Sequence, residues 1–126
     1  MTTQRAASDQ QRTAVLTQAL GEVARRLHIG PTEMGAIIGV SQATASRILK
    51  GQYQLRESAK EWELSAHLVR LYRSLFAMVG GDDVLAQSWL RSGNRAFADQ
   101  APIKLLPRVD GLIHVVEYLD AHRSRV

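Results

Sequence analysis

The chain has 126 residues, of which 45% are hydrophobic and 22% are charged, a composition ordinary for a globular protein. It contains no cysteine, which excludes disulfides and thiolate metal sites, and no apolar run approaches the roughly 18 residues of a membrane span. We therefore expect one domain or two very small ones, located in the cytoplasm and without a membrane partner.

The formal net charge of +4 permits nucleic-acid binding without demanding it. Residues 1–55 carry six Arg and Lys against three Asp and Glu, whereas residues 56–126 carry ten against nine. The surplus positive charge therefore lies in the N-terminal part of the chain. This difference favours a DNA partner for that part, but only weakly.

The N-terminal segment predicts a loose arm followed by a helix. Residues 1–8 are small and polar and are expected to form the arm. A helix is predicted from about Asp9 to His28, since apolar residues recur there at the helical period. This apolar stripe consists of Val15, Ala19, Leu20, Val23, Ala24 and Leu27.

Two short helices joined by a tight turn are predicted over Thr32–Gly51. Thr32 is expected to cap the first helix, Gly39 to end it with a positive φ, and Ser41 to cap the second. Gly51 is expected to end the second helix. Three of its apolar residues are predicted to face inward, namely Ala45, Ile48 and Leu49.

A long helix is predicted from Ser58 to about Val79, after a hinge at residues 52–56. It is apolar around much of its circumference, so one core face does not use all of it. We expect a central position in the domain together with a dimer interface. One stripe holds Trp62, Ala66, Val69, Tyr72, Phe76 and Val79; the other holds Leu64, Leu68, Leu71, Leu75 and Met78.

The remaining elements are also helical. A short helix capped by Asp82, a turn-rich connector over Ser92–Gln100, a turn begun by Pro102 and a last helix over about Val109–His122 are predicted. No segment has the pattern of a strand. The predicted fold class is all-α, with an N-terminal module over residues 1–55 and a small helical domain over residues 56–126.

The turn and its flanking residues resemble the helix-turn-helix of the Xre/phage-repressor type. The resemblance rests on Gly35, on Gly39-Val40-Ser41, and on apolar Ala45 and Ile48. Gly35 stands where that family usually has Ala, and Ala45 where it has Val or Ile. Both are smaller than the usual residue, which predicts a loosely packed module. The alternatives are a turn in an ordinary helical bundle, or a module that has lost DNA binding.

The C-terminal half resembles the toxin-binding domain of the Xre/MbcA/ParS antitoxins. That family has Trp-Leu followed by Asn, a Pro-initiated turn ending in Leu-Leu, and a Gly that opens the closing helix. In this chain the corresponding residues are Trp89-Leu90, Asn94, Pro102, Leu105-Leu106 and Gly111. The family's Gly-rich connector after the Asn is replaced here by Arg-Ala-Phe-Ala-Asp.

The two resemblances together imply a type II antitoxin. Such proteins bind a cognate toxin, commonly of the RES-domain type that destroys NAD⁺, and block its active site. They also bind operator DNA in their own promoter through the helix-turn-helix. The alternative is a stand-alone transcriptional regulator whose C-terminal half dimerises or senses a ligand.

The solvent-facing residues of the second helix of the motif are the predicted DNA contacts. Gln42 is suited to adenine and Arg47 to guanine. Ser41, Ser46 and Lys50 are better suited to phosphate oxygens, while Ala43 or Thr44 could contact a thymine methyl. One module binds a half-site weakly, so a homodimer is expected. The predicted set is Ser41, Gln42, Ala43, Thr44, Ser46, Arg47 and Lys50.

The toxin contacts are expected at the end of the chain, where the last helix and tail would cover the toxin's cleft. Trp89 is expected to be core rather than contact, and the alternative role for Asn94 is to cap a helix end. The predicted set is Arg91, Asn94, Tyr118, His122, Arg123, Arg125 and Val126. The four histidines stand far apart in sequence and no catalytic motif is present, so we expect no enzyme, no metal and no cofactor.

Overall fold

The computed structural model describes residues 2–123, with side chains described from Ser8 onward. Its described part has no strand, which confirms the all-α prediction. There are six α-helices and two short 3-10 turns, the latter at Arg95–Phe97 and Pro102–Lys104. The α-helices are α1 (Thr2–Leu27), α2 (Pro31–Ile38), α3 (Gln42–Leu49), α4 (Lys60–Met78), α5 (Asp83–Arg91) and α6 (Val109–Arg123).

Helix α1 is longer than the sequence pattern indicated. It begins at Thr2, so the predicted loose arm is wrong for residues 2–8, where Gln, Arg and Ala favour a helix. The helix ends at Leu27, because His28 takes a left-handed conformation with φ 56°. Val15 was predicted to face the core but is 60% exposed, and Leu16 packs against the core instead.

Helices α2 and α3 form the predicted helix-turn-helix. Gly30, rather than Thr32, occupies the N-cap of α2, since Pro31 fits the first helical position, where its missing N–H is not needed. Gly39 ends α2 with φ 77°, and Ser41 caps α3 by accepting a hydrogen bond from the Thr44 N–H at 3.0 Å. The turn and the second cap are therefore as predicted.

Gly35 makes the turn tight rather than loose. A Cβ atom built at Gly35 would lie 2.7 Å from the backbone oxygen of Val40, a distance that real Cβ atoms do not show. Ala45 is fully buried beneath the same turn. The prediction that Gly35 leaves this module loosely packed is wrong, because the approach of the backbone excludes any side chain there.

The segment between α3 and α4 is irregular but anchored. Leu55 is only 1% exposed, and its N–H donates to Thr17 Oγ1 of α1 at 3.1 Å. Helix α4 begins at Lys60, two residues later than predicted, after a turn in which the Ala59 N–H bonds to the Arg56 carbonyl. The residues expected to act as a hinge are therefore fastened to the first helix.

Helix α4 is the centre of the molecule and packs against α6, α1 and α2. Leu68, Leu71 and Leu75 on one predicted stripe are fully buried. On the other stripe, Trp62 is half-buried and Ala66 is exposed beside α1. One face of α4 thus builds the core while part of the other remains open.

The C-terminal elements fold over the end of α4. Asp82 caps α5 by accepting the Val84 N–H at 2.9 Å, as predicted. The connector after α5 contains a 3-10 turn that buries Phe97, and it leaves by two left-handed residues, Ala98 (φ 55°) and Asp99 (φ 65°). Gly111 allows α6 to begin against the backbone of Leu105, where a Cβ would lie 2.1 Å from the carbonyl oxygen.

Candidate functional site

Helix α3 presents a polar face to solvent. Its interior side is formed by Ala45 and Ile48, which are buried, while Leu49 is only half-buried. The Ser41 hydroxyl donates to Thr44 Oγ1 at 3.0 Å, so these two side chains are tied together at the N-terminus of the helix. The predicted DNA contacts divide into exposed Ser41, Gln42, Ala43, Arg47 and Lys50 and half-buried Thr44 and Ser46.

An aromatic cluster joins α5, the connector and α6. The Tyr118 ring stacks on Trp89 with centroids 6.2 Å apart, and the His122 ring lies tilted against Tyr118 with centroids 4.1 Å apart. Phe97 lies beneath them, 5.0 Å from Tyr118 and 6.1 Å from Trp89. Trp89 is half-buried, so part of its side chain packs in the cluster and part is exposed to solvent. Tyr118 and His122, two predicted toxin contacts, are therefore neighbours on one surface.

Exposed apolar side chains lie on α5 beside this cluster. Val84 is 70% exposed and Leu85 is 52% exposed, large fractions for aliphatic side chains. Leu85 precedes Trp89 by four residues, one helical turn, so the two side chains share a face of the helix. Leu85, Trp89, Tyr118 and His122 together are called the aromatic face below.

Arg91 connects α5 to α2. Its guanidinium forms a two-point ion pair with the Glu33 carboxylate at 2.8 and 2.9 Å and also donates to the His28 carbonyl at 2.9 Å. The hydrogen bond from Arg91 holds the pKa of Glu33 below its usual value, and burial opposes that shift only partly. Arg91 was predicted to contact a toxin; the structure places its charged end against the helix-turn-helix.

Further polar contacts fasten the same two parts of the chain. Gln87 donates to the Arg26 carbonyl at 2.7 Å, and Arg26 pairs with Asp83 at 3.0 Å. Within the C-terminal part, Tyr72 donates to Asp83 at 2.9 Å and so helps to hold that carboxylate in place. The contacts that join the two parts, Gln87–Arg26, Arg26–Asp83 and Arg91–Glu33, are called the inter-module latch below.

Asn94 and Arg123, two other predicted toxin contacts, make bonds within the chain. The Asn94 side chain accepts the Ala96 N–H at 2.9 Å and its backbone oxygen accepts from Phe97 and Asp99, so it organises the connector. Arg123 lies 3.5 Å from the Ser74 hydroxyl, which itself donates to Asp120 at 2.6 Å. Arg125 and Val126 lie outside the described residues.

Phe97 and His114 were missed as members of the cluster. Phe97 is 4% exposed and sits 5.1 Å from the His114 ring. A lone aromatic residue in a turn-rich connector has no periodic neighbours, so no helical pattern marks it as core. Its size was the one available signal, since a large aromatic side chain gains much from burial.

Over residues 2–123 the structure has no helix that is long and apolar enough to cross a membrane. No three His, Asp or Glu side chains in this range are grouped as they would be around a metal ion.

Comparison with known protein families gives two matches that together cover most of the chain. Residues 6–70 match the antitoxin Xre-like helix-turn-helix domain, which contains α2 and α3. Residues 74–125 match the antitoxin Xre/MbcA/ParS C-terminal toxin-binding domain, which contains α5, the aromatic face and α6. No curated protein matches the chain significantly. The first match alone spans more than half of the sequence, and the chain therefore belongs to the Xre antitoxin family.

Proposed function

We propose that the chain is a type II antitoxin that binds and blocks a cognate toxin and represses its own operon by binding operator DNA. The observation that carries this proposal is the pairing of an Xre-like helix-turn-helix with a toxin-binding domain in one chain. The proposal assigns binding and not catalysis to the protein, acting in the cytoplasm where the operon lies. We propose that residues 1–55 form the DNA-binding module and that residues 56–126 form the toxin-binding and dimerisation domain.

The aromatic face is the proposed centre of toxin binding. Interfaces gain most of their binding energy from a few large, partly preorganised side chains, often Trp and Tyr. Trp89 and Tyr118 are held by stacking, so little rotamer freedom is lost when a partner covers them. Leu85 extends the surface with exposed aliphatic area.

The other predicted toxin contacts are given separate roles in this proposal. Asn94 shapes the connector, Arg123 lies at the end of α6, and Arg125 and Val126 follow it in sequence. Arg91 takes part in the inter-module latch, so a toxin that engages it must compete with Glu33. We propose that α6 and the tail cover the cleft of a RES-domain, NAD⁺-degrading toxin; the resemblance seen in the sequence supports this choice.

The exposed face of α3 is the proposed DNA-reading surface. Gln42 and Arg47 are exposed and suited to base edges, and Lys50 is suited to a phosphate. Two such helices on one dimer would read two half-sites one DNA turn apart.

The proposed dimer interface is an apolar groove of about 480 Å³ between α1 and α4. Its floor includes Val15, Leu16, Ala19, Trp62, Ala66 and Val69. Val15 is 60% exposed, and covering this large aliphatic side chain with a second copy would stabilise the dimer. Two of the arginines at its rim, Arg12 and Arg70, are already paired with Glu57 and Asp120.

The test is co-expression with the product of the adjacent open reading frame, followed by co-purification and a growth assay. We expect a stable complex, growth arrest when the antitoxin is omitted, and a fall in cellular NAD⁺ during that arrest. Arrest without NAD⁺ loss would reject the RES assignment alone. Absence of both complex and toxicity would reject the antitoxin proposal in favour of a stand-alone regulator.

A further inference from the structure

We infer that a second groove, between α1 and the C-terminal end of α3, holds a DNA phosphate, with Arg25 as its principal cation. Of the residues at this contact, only Lys50 belongs to the seven predicted DNA contacts. The inference rests on the proposed binding of operator DNA. The groove has a volume of about 450 Å³. It is called the phosphate groove below.

The chemistry of the phosphate groove fits an anion. The charged residues that line it are both basic, Arg25 from α1 and Lys50 from the end of α3, and no Asp or Glu is among its lining residues. Gln18 and Gln54 add amide groups that can donate hydrogen bonds. Paired cations and neutral donors around an open groove are the groups that contact DNA phosphates.

The Arg25 guanidinium lies close to Gly21 in this groove. The atom nearest to a Cβ built at Gly21 is Arg25 Nη1, at 3.9 Å, so the Arg25 side chain lies back along α1 over the glycine. Arg25 pairs with Glu22, but the same carboxylate also pairs with Arg26 at 2.9 Å. Arg26 also pairs with Asp83, so two carboxylates balance Arg25 and Arg26, and Lys50 supplies the excess positive charge at the groove.

The phosphate groove is continuous with the DNA-reading face. Lys50 follows Arg47 by three residues and Ser46 by four, so it lies on the same stripe of α3. Gln42 and Lys50 are separated by about 12 Å along a helix axis, which is about the width of the DNA major groove. When the N-terminal end of α3 reaches the bases, Lys50 is therefore at the edge of the groove, where the phosphates are.

The salt dependence of binding tests this contact. Each phosphate neutralised contributes about 0.9 to the slope of log affinity against log salt. Binding of the full chain to a duplex from its own promoter would be measured between 50 and 200 mM salt, for wild type and Arg25→Gln. Over this fourfold range we expect wild type to lose about 3-fold more affinity than the variant, and the variant to weaken binding to specific and unrelated duplexes alike.

Three further variants make the result decisive. Arg25→Lys keeps the charge and should restore the slope, while Gln18→Glu places a carboxylate in the groove at an exposed position and should weaken binding. Arg108→Gln changes an exposed cation at the start of α6 and should leave the slope unchanged. If wild type binds and Arg25→Gln has the wild-type slope, the phosphate groove is rejected. If wild type itself does not bind, the proposed DNA binding fails first.

Discussion

Arg91 in the toxin-binding domain and Glu33 in the helix-turn-helix form a two-point ion pair across 58 residues of sequence. Arg91 also holds the carbonyl of His28, the left-handed residue at which α1 ends. Two groups from the N-terminal part of the chain thus meet at one guanidinium. Together with the Gln87–Arg26 and Arg26–Asp83 contacts, this side chain helps to fix the position of α5 against the helix-turn-helix.

Removing that guanidinium should destabilise the protein modestly. The Arg91 and Glu33 side chains are 38% and 39% exposed, so solvent weakens their attraction. For Arg91→Ala we expect the free energy of unfolding to fall by about 1 kcal/mol, measured by urea denaturation. Arg108→Ala removes the more exposed pair with Asp110 and should have no measurable effect. Equal losses in both variants would contradict the latch.

The same pair should make stability depend on pH in the acid range. Arg91 lowers the pKa of Glu33 from its usual 4.5, so the carboxylate stabilises the fold above that pH. The contribution is lost as the pH falls from about 4.5 through the lower folded pKa. The stability difference between wild type and Arg91→Ala should therefore be full at pH 7 and shrink below pH 4.5. A difference that stays constant between pH 7 and pH 3 would show that Glu33 is not the partner.

Gly35→Ala should be far more costly than its small change in volume indicates. The new Cβ would meet the backbone oxygen of Val40 at 2.7 Å, and a backbone atom in a turn cannot move aside easily. We expect a loss of about 1–3 kcal/mol in thermal unfolding, together with weaker DNA binding. Gly30→Ala is the matched control, because nothing lies within 4 Å of a Cβ there. Ala is a poorer N-cap than Gly but lowers the entropy of the unfolded chain, so a loss below about 1 kcal/mol is expected.

Leu85→Asp should separate toxin binding from folding. Leu85 is 52% exposed beside Trp89, so a charge there is tolerated by the fold but is buried when a partner covers the aromatic face. We expect at least a 10-fold loss of affinity for the co-expressed toxin, by titration calorimetry, with an unchanged melting temperature. Val109→Asp alters a comparably exposed apolar residue, 60% exposed, at the opposite end of α6 from Tyr118 and His122, and should lose much less affinity. Normal binding by Leu85→Asp would remove the aromatic face from the proposal.

Val15→Asp should dissociate the proposed homodimer. A carboxylate in the α1–α4 groove would lose its hydration when a second copy covers it. Sedimentation equilibrium should show a dimer for wild type and for Leu85→Asp, and a monomer for Val15→Asp with intact helical circular dichroism. A Val15→Asp dimer would place the interface elsewhere.

Local signals in the sequence predicted the elements well. Gly39 and Ser41 each carry a backbone or capping preference that needs no distant partner, and the turn and the α3 cap formed as expected. The start of α6 at Val109 and the cap at Asp82 follow the same logic. Residue types with a strong local preference therefore located these caps and turns, whereas the start of α1 at Thr2 carried no such signal and was missed.

Contacts between distant segments were not predictable in this way. The sequence around Arg91 does not indicate that Glu33 is its partner. A charged residue on a helix surface has the same local sequence pattern whether or not an opposite charge from a distant segment lies beside it. Val15 belongs to the apolar stripe of α1 but lines the open groove and is exposed. Helical periodicity shows which face of a helix is apolar, but it does not show how far along the helix the core extends. Gly35 looked underfilled because the Val40 carbonyl that fills the space is a backbone group.

The connector after Asn94 turns through two consecutive left-handed residues, Ala98 and Asp99, neither of which is glycine. A glycine-rich loop follows such a path at no steric cost but offers a partner only backbone atoms. In this chain both positions carry exposed side chains instead. Phe97, just before them, is buried in the aromatic cluster. A substitution at Ala98 or Asp99 therefore changes the chemistry of the exposed surface of the connector without removing its buried side chain.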